Sequence, residues 1–261
     1  MKKNHCAPLI FLFLAFSAPV SNAAEPDTLF VADISRDTAG ESPKEWVNVL
    51  PPKQKVYTNF TVEYLETGPY IRAVSNSADS WIEREPGNLD ISQYPVIEWE
   101  WMVDVFPAAE WERNASEDDF AIHLELVFDY RGGSANPLYL IRKGLITSLF
   151  RHNPPVLILS YVWSVGVPVD KDYRSPEDDR IIVIPVESGS SVIRRWFHET
   201  RNVHADLTRL LPGEKHLVLK KIRIRSDTDN SGSKAESGIR NIRFIKRAAT
   251  PGGKMRGYGR E

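Results

Sequence analysis

A chain of 261 residues, 42% hydrophobic and 26% charged, is long enough to bury one large core. Its 33 basic and 35 acidic residues nearly cancel, which leaves no electrostatic case for nucleic acid. One cysteine, Cys6, excludes an intrachain disulfide and a cysteine-built metal site.

The chain begins with a basic start, Lys2 and Lys3, and then an apolar run over residues 9–20 (LIFLFLAFSAPV). A membrane-spanning helix needs about 20 apolar residues, so this shorter run reads as the core of a secretory signal, cut after Ala23. Cys6 precedes the run, which argues against a lipoprotein anchor. The expected organisation is a signal peptide at 1–23, one β-sandwich domain at 24–246 and a flexible, basic, Gly-rich tail at 247–261. The mature protein is then exported, periplasmic or secreted, with no cysteine and no transmembrane anchor after cleavage.

Strand signals follow in series. Short or alternating apolar patterns predict strands at 29–34, 56–64, 70–74 and 80–84. Residues 96–104 (VIEWEWMVD) set Ile97, Trp99, Trp101 and Val103 on one face and Glu98, Glu100, Met102 and Asp104 on the other. An acidic loop with Pro107 and Trp111 leads to 120–129 (FAIHLELVFD), where Phe120, Ile122, Leu124, Leu126 and Phe128 alternate with Ala121, His123, Glu125, Val127 and Asp129. Residues 138–150 carry Leu138, Ile141, Leu145 and Leu149 at helical spacing and predict a helical insertion. Strands at 156–165 and 180–186 are apolar on both faces, as central strands are. Asn202 is placed to cap a short helix stopped by Pro212-Gly213. Strands at 218–225 and 239–245 close the series. About ten strands with turns between them predict an all-β fold, a jelly-roll-like β-sandwich with a short helix and one helical insertion.

Chemistry concentrates in three places. If the strands at 96–104 and 120–129 are neighbours, Glu98, Glu100, His123 and Glu125 share one face. Paired carboxylates with a nearby His suit general acid–base work on a glycoside, and the same face suits ligand binding or plain solvation. Sugar rings stack on aromatic faces, so Trp111, with Glu110, Glu112 and Arg113 around it, and Tyr161 with Trp163 are candidate platforms. Arg201 is a candidate cation for an acidic sugar, although Glu199, Arg201 and Asp206 also read simply as an ion-paired link from strand to helix. Finally, Asp227, Asp229 and Asn230 lie in DTDNSG, which reads either as a tight hairpin or as a structural calcium loop. An EF-hand needs Glu where this chain has Gly238, so that motif is rejected. There is no HExxH, no Gly-x-Ser-x-Gly and no phosphate loop.

Ordered landmarks run through residues 71–244. They are Ala73-Val74-Ser75, Tyr94-Pro95-Val96 with Trp99 and Trp101, Asp118-Asp119-Phe120, Ser160-Tyr161-Val162-Trp163, Trp196 with Glu199, Arg201-Asn202-Val203 and Asp206, and the DTDNSG stretch. By these the chain resembles a bacterial family, domain-of-unknown-function family 3047. It departs from that pattern at 131–155, which is longer. The resemblance implies a secreted all-β protein and offers no catalytic residues to carry over. The last strands also look like those of carbohydrate-binding jelly rolls. The expected function is therefore a glycan-binding module of the periplasm or envelope, with a poly- or oligosaccharide as partner. The alternative is a polysaccharide-active hydrolase or lyase using the Glu98/Glu100/His123/Glu125 face, so enzymatic activity stays open.

Overall fold

The strand-forming residues do what their alternation requires, which is to bury one face of each strand against a second sheet. The computed structural model describes residues 27–52, 54–87, 89–108, 119–130, 155–176, 178–213 and 217–246. The expected signal peptide, Trp111, the helical insertion and the tail lie outside the described residues.

Two sheets make a jelly-roll-like sandwich. The six-stranded sheet runs in the order β11 (Phe197–Asn202), β6 (Val96–Val105), β13 (Lys234–Ile245), β4 (Gly68–Asn76) and β3 (Asn59–Leu65). A short β1 (Thr28–Phe30) pairs with the last residues of β13. The seven-stranded sheet runs β2 (Val47–Val49), β5 (Asp79–Arg84), β12 (Leu217–Asp227), β7 (His123–Tyr130), β8 (Leu157–Ser164), β10 (Ile181–Ser188) and β9 (Tyr173–Arg174). Pairing is antiparallel except between β8 and β10. β2, β9 and β11 go beyond the expected strands; the first two have three and two residues, too short for a period to register.

Between the sheets lies one large apolar cluster. Ile97, Trp99, Trp101 and Val103 of β6 face Leu124, Leu126 and Phe128 of β7 across it, all fully buried. Aromatic rings run through this layer. Trp99 stacks on Tyr161 at 5.5 Å and meets Trp101 edge-on at 5.3 Å, and Trp163 meets Phe197 edge-on at 4.9 Å. Such pairs add about 0.5–1.5 kcal/mol each beyond the area they bury.

The one described helix, α1 (Val203–Leu210), starts where Asn202 predicts it. The Asn202 side chain accepts a hydrogen bond from the Ala205 amide at 2.9 Å. Gly213 follows its end at φ +87°, a backbone state open to glycine.

The sandwich corrects one expectation. β6 and β7 are not neighbours but belong to opposite sheets. Glu98 and Glu100 therefore point out from the six-stranded sheet, and His123 and Glu125 from the other side of the molecule. The single polar face that would have joined all four does not exist.

Candidate functional site

Each group from that dissolved face has its own partners. Glu98 accepts from Arg243 at 2.7 Å and Glu100 from Arg240 Nε at 2.8 Å. Asn241 Nδ2 also donates to Glu100 at 3.0 Å, from a bulge where Asn241 takes φ +55°. Asn tolerates that conformation better than most residues. Burial would raise the Glu100 pKa, but the bonds from Asn241 and Arg240 pull it below the usual carboxylate range. The arrangement is an ion-paired, partly wet sheet face.

The aromatic candidates also move. Tyr161 and Trp163 of β8 face inward, at 0% and 3% exposure, so neither presents a ring to a ligand. Trp163 Nε1 donates to the Gly189 carbonyl at 2.9 Å. The Tyr161 hydroxyl donates to Asp206 at 3.0 Å, and Arg201 binds the same carboxylate at 2.9 Å. Arg201 thus ties β11 to α1, as the ion-pair reading expected. Burial, and then Asp206, push the Tyr161 pKa well above its ordinary value.

A different constellation lies on the outer face of the seven-stranded sheet. From Lys221 onward β12 alternates, with Ile222 and Ile224 inward and Lys221, Arg223, Arg225 and Asp227 outward. A register shift between Leu219 and Lys221 brings Lys221 onto this face beside Val127. β5 contributes Asp79, Trp81 and Glu83 on one flank, and β7 contributes His123 and Glu125 on the other. Opposite charges meet across the strands. Lys221 and Arg223 both bind Glu83, the latter at 2.9 Å, and Arg223 reaches Glu125 at 3.7 Å. Arg225 grips Asp79 and Asp227, each at 2.5 Å. The Arg223 guanidinium also lies 4.6 Å over the Trp81 ring, whose Nε1 donates to Glu83 at 3.1 Å.

Environment separates the two carboxylates that share Arg223. Burial raises the Glu125 pKa, and Arg225 and Arg223 only partly oppose it. Burial acts on Glu83 in the same direction, but hydrogen bonds from Lys221, Trp81 and Arg223 and the Arg223 charge win and lower it. His123 is fully buried, and burial, with Arg225 nearby, drives its pKa well below the usual value. Its Nδ1 pairs with Ser160 Oγ at 3.0 Å, while Nε2 has no partner among the described residues.

At one end of this row the face opens into a cleft of about 410 Å³, lined by Glu85, Asp129, Lys220, Lys221 and Arg223 with Val127 in its floor. At the other end, carboxylate oxygens of Asp79, Asp227 and Asp229 converge within 4.8 Å of one another. These three are the described residues placed to hold a cation. Sequence reading had two of them and lacked Asp79. The neighbouring Asn230 donates its backbone amide to Asp119 at 3.3 Å. The row itself was also missed, although its signal is present: DSWIER and KIRIRSD both alternate, and the first is mainly acidic where the second is mainly basic.

Comparison with known proteins completes the description. The family model described as "Protein of unknown function (DUF3047)" matches residues 44–243. No curated protein matches the chain. Among solved structures, the chain is similar to the family 11 carbohydrate-binding module of cellulosomal cellulase Lic26A-Cel5E of Clostridium thermocellum, at 9% identity and TM-score 0.40, over 77% of this chain and 88% of that one. The family 30 carbohydrate-binding module of cellulosomal cellulase Cel9D-Cel44B of Clostridium thermocellum aligns at 9% identity and TM-score 0.38, over 78% and 92%. Trichoderma harzianum endoglucanase 3 from family GH12 aligns at 8% identity and TM-score 0.33, over 78% and 98%.

Proposed function

The chain belongs to the family described as protein of unknown function (DUF3047), and from its site we propose that it is an exported protein that binds a poly- or oligosaccharide on the outer face of the seven-stranded sheet. One observation carries this reading: the cross-strand row of donors and acceptors around Trp81 that runs into the open cleft beside Lys220, Lys221 and Arg223. A sugar presents hydroxyls that both donate and accept, on a ring whose C–H edge is apolar. Alternating carboxylates and cations beside a half-buried indole match both needs. The groups are held by one another before a ligand arrives, so little ordering entropy is lost on binding. Export rests on the basic start and apolar run at the head of the chain.

The test is calorimetric titration of wild type and Lys221→Ala with soluble envelope and extracellular polysaccharides. A hydrogen bond from a charged group is worth about 1.5–3 kcal/mol where it is desolvated, so removing Lys221 should weaken binding at least tenfold. Its stability cost should stay within about 1 kcal/mol, because the lysine is 39% exposed and Glu83 keeps Arg223. Binding of equal strength in the variant would take the ligand off this face.

A further inference from the structure

The end of the sandwich away from the polar cleft carries two exposed apolar pairs. β12 runs from the cleft, at Leu219, to Asp227, and the turn after it leads to Lys234 at this far end. One pair is Val192 and Ile193, at 38% and 53% exposure, between β10 and β11. The other is Val56 and Tyr57, at 51% and 54%, in the approach to β3. Strand register puts both pairs here. The Arg194 amide donates to the Val103 carbonyl at 2.9 Å, near the close of β6, where Val105 lies opposite Glu236. Lys234 lies opposite Asn76 at the close of β4, and Asn59 at the start of β3 lies opposite Val74. β11 and β3 end the path of the six-stranded sheet, four strand spacings or about 19 Å apart. A flat partner can meet both pairs at once.

Charge divides in the same way. In the turns at this end, residues 54–58, 76–79, 104–108, 189–196 and 227–234, the exposed charged side chains are Lys55, Arg194, Arg195 and Lys234, all basic. The acids of these turns are half-buried or buried and already partnered: Asp104 by Arg194, Asp79 and Asp227 by Arg225, and Asp229 by Gln54. Arg194 also holds φ +57°, an uncommon left-handed state for a bulky residue, fixed by its amide bond to Val103 and its ion pair with Asp104. Strain that the surroundings hold in place gathers at functional turns. Aliphatic and aromatic side chains beside Arg and Lys suit a lipid–water interface, where apolar groups enter the acyl boundary and cations stay with the headgroups. We propose that this end of the sandwich rests on an anionic bilayer surface, with Val192, Ile193, Val56 and Tyr57 entering the interface. The polar cleft then faces away from the membrane. The inference stands apart from the glycan reading above.

The probes are vesicles of phosphatidylcholine and of phosphatidylcholine with phosphatidylglycerol, sedimented with the exported protein and its variants. The protein's mass is checked first for loss of the apolar run at 9–20, which would bind lipid by itself. Wild type should co-sediment with the anionic vesicles and come off at high salt. Val192→Ser with Ile193→Ser should weaken that partition about tenfold, and Tyr57→Ser should weaken it too. Arg195→Gln should cost about fivefold on anionic vesicles, the worth of one cation near such a surface. All four residues are exposed enough for the variants to fold, and a melt checks it. Wild type that sediments with neither kind of vesicle would overturn the proposal and leave the glycan reading untouched. Vesicle binding that the serine variants keep in full would also overturn it, because the lipid contact would then lie elsewhere.

Discussion

His123 shows best how a single residue here departs from its sequence appearance. It alternates with apolar neighbours and reads as a solvent-facing group, yet it is 2% exposed, bonded to Ser160 and set edge-on against Phe120 at 5.1 Å. Alternation tells which side chains share a side of the strand; it does not tell whether that side is wet. The same holds for Glu125, which no pattern marks as buried. Burial has a measurable consequence. A histidine whose folded-state pKa lies below its unfolded value of about 6.5 contributes stability that is present above that pH and is lost as pH falls through and below it. The slope for one such group reaches about 1.4 kcal/mol per pH unit. Urea unfolding at pH 7.5 and pH 5.5 should therefore show wild type losing about 1 kcal/mol more than His123→Gln over that interval. Equal losses would mean that the ring does not stay neutral in the folded state.

At the scale of elements, the strands, the helix cap and the closing turn were legible because each is written in local spacing. Asn202 caps α1, and DTDNSG makes the β12–β13 connection, with the Asp229 amide donating to Asp227 at 3.2 Å. Strand neighbours were not legible, because pairing is non-local and the period-2 pattern of β6 fits a partner in either sheet. Charge pairing between β5 and β12 was the usable cue: Glu83 lies opposite Arg223, and Arg225 bonds Asp79 diagonally across the strands while also holding Asp227 of its own strand. At this end Arg225 pairs with Asp79 and Asp227, and the Asp229 carboxylate lies within 4.8 Å of both acids; from this excess of negative charge we propose a structural calcium ion here. A cation bound only by the folded state should raise the melting temperature with millimolar calcium and lower it with chelator. Melts that coincide under both conditions would mean that no calcium ion is held there.

For the molecule as a whole, one apolar layer carries two faces of different design. The six-stranded sheet presents half-buried ion pairs, with Arg240 4.2 Å over Trp196 and Trp196 edge-on to Tyr70 at 5.4 Å. The seven-stranded sheet presents a polar row with Asp79, Glu83, Glu125, Arg225 and Asp227 all below a tenth exposed, then the cleft. Buried charge is costly unless paired, and replacing such pairs by apolar residues is often neutral or stabilising. No described helix is long and apolar enough to cross a membrane. The account therefore stands on which face takes the ligand. The most direct measurement is an NMR titration of the isotope-labelled protein with a polysaccharide that it binds. The account predicts that signals of Trp81, Lys221, Arg223 and Val127 move with ligand while those of Tyr70, Trp196 and Arg240 stay in place. Shifts confined to the Tyr70–Trp196–Arg240 face would contradict it.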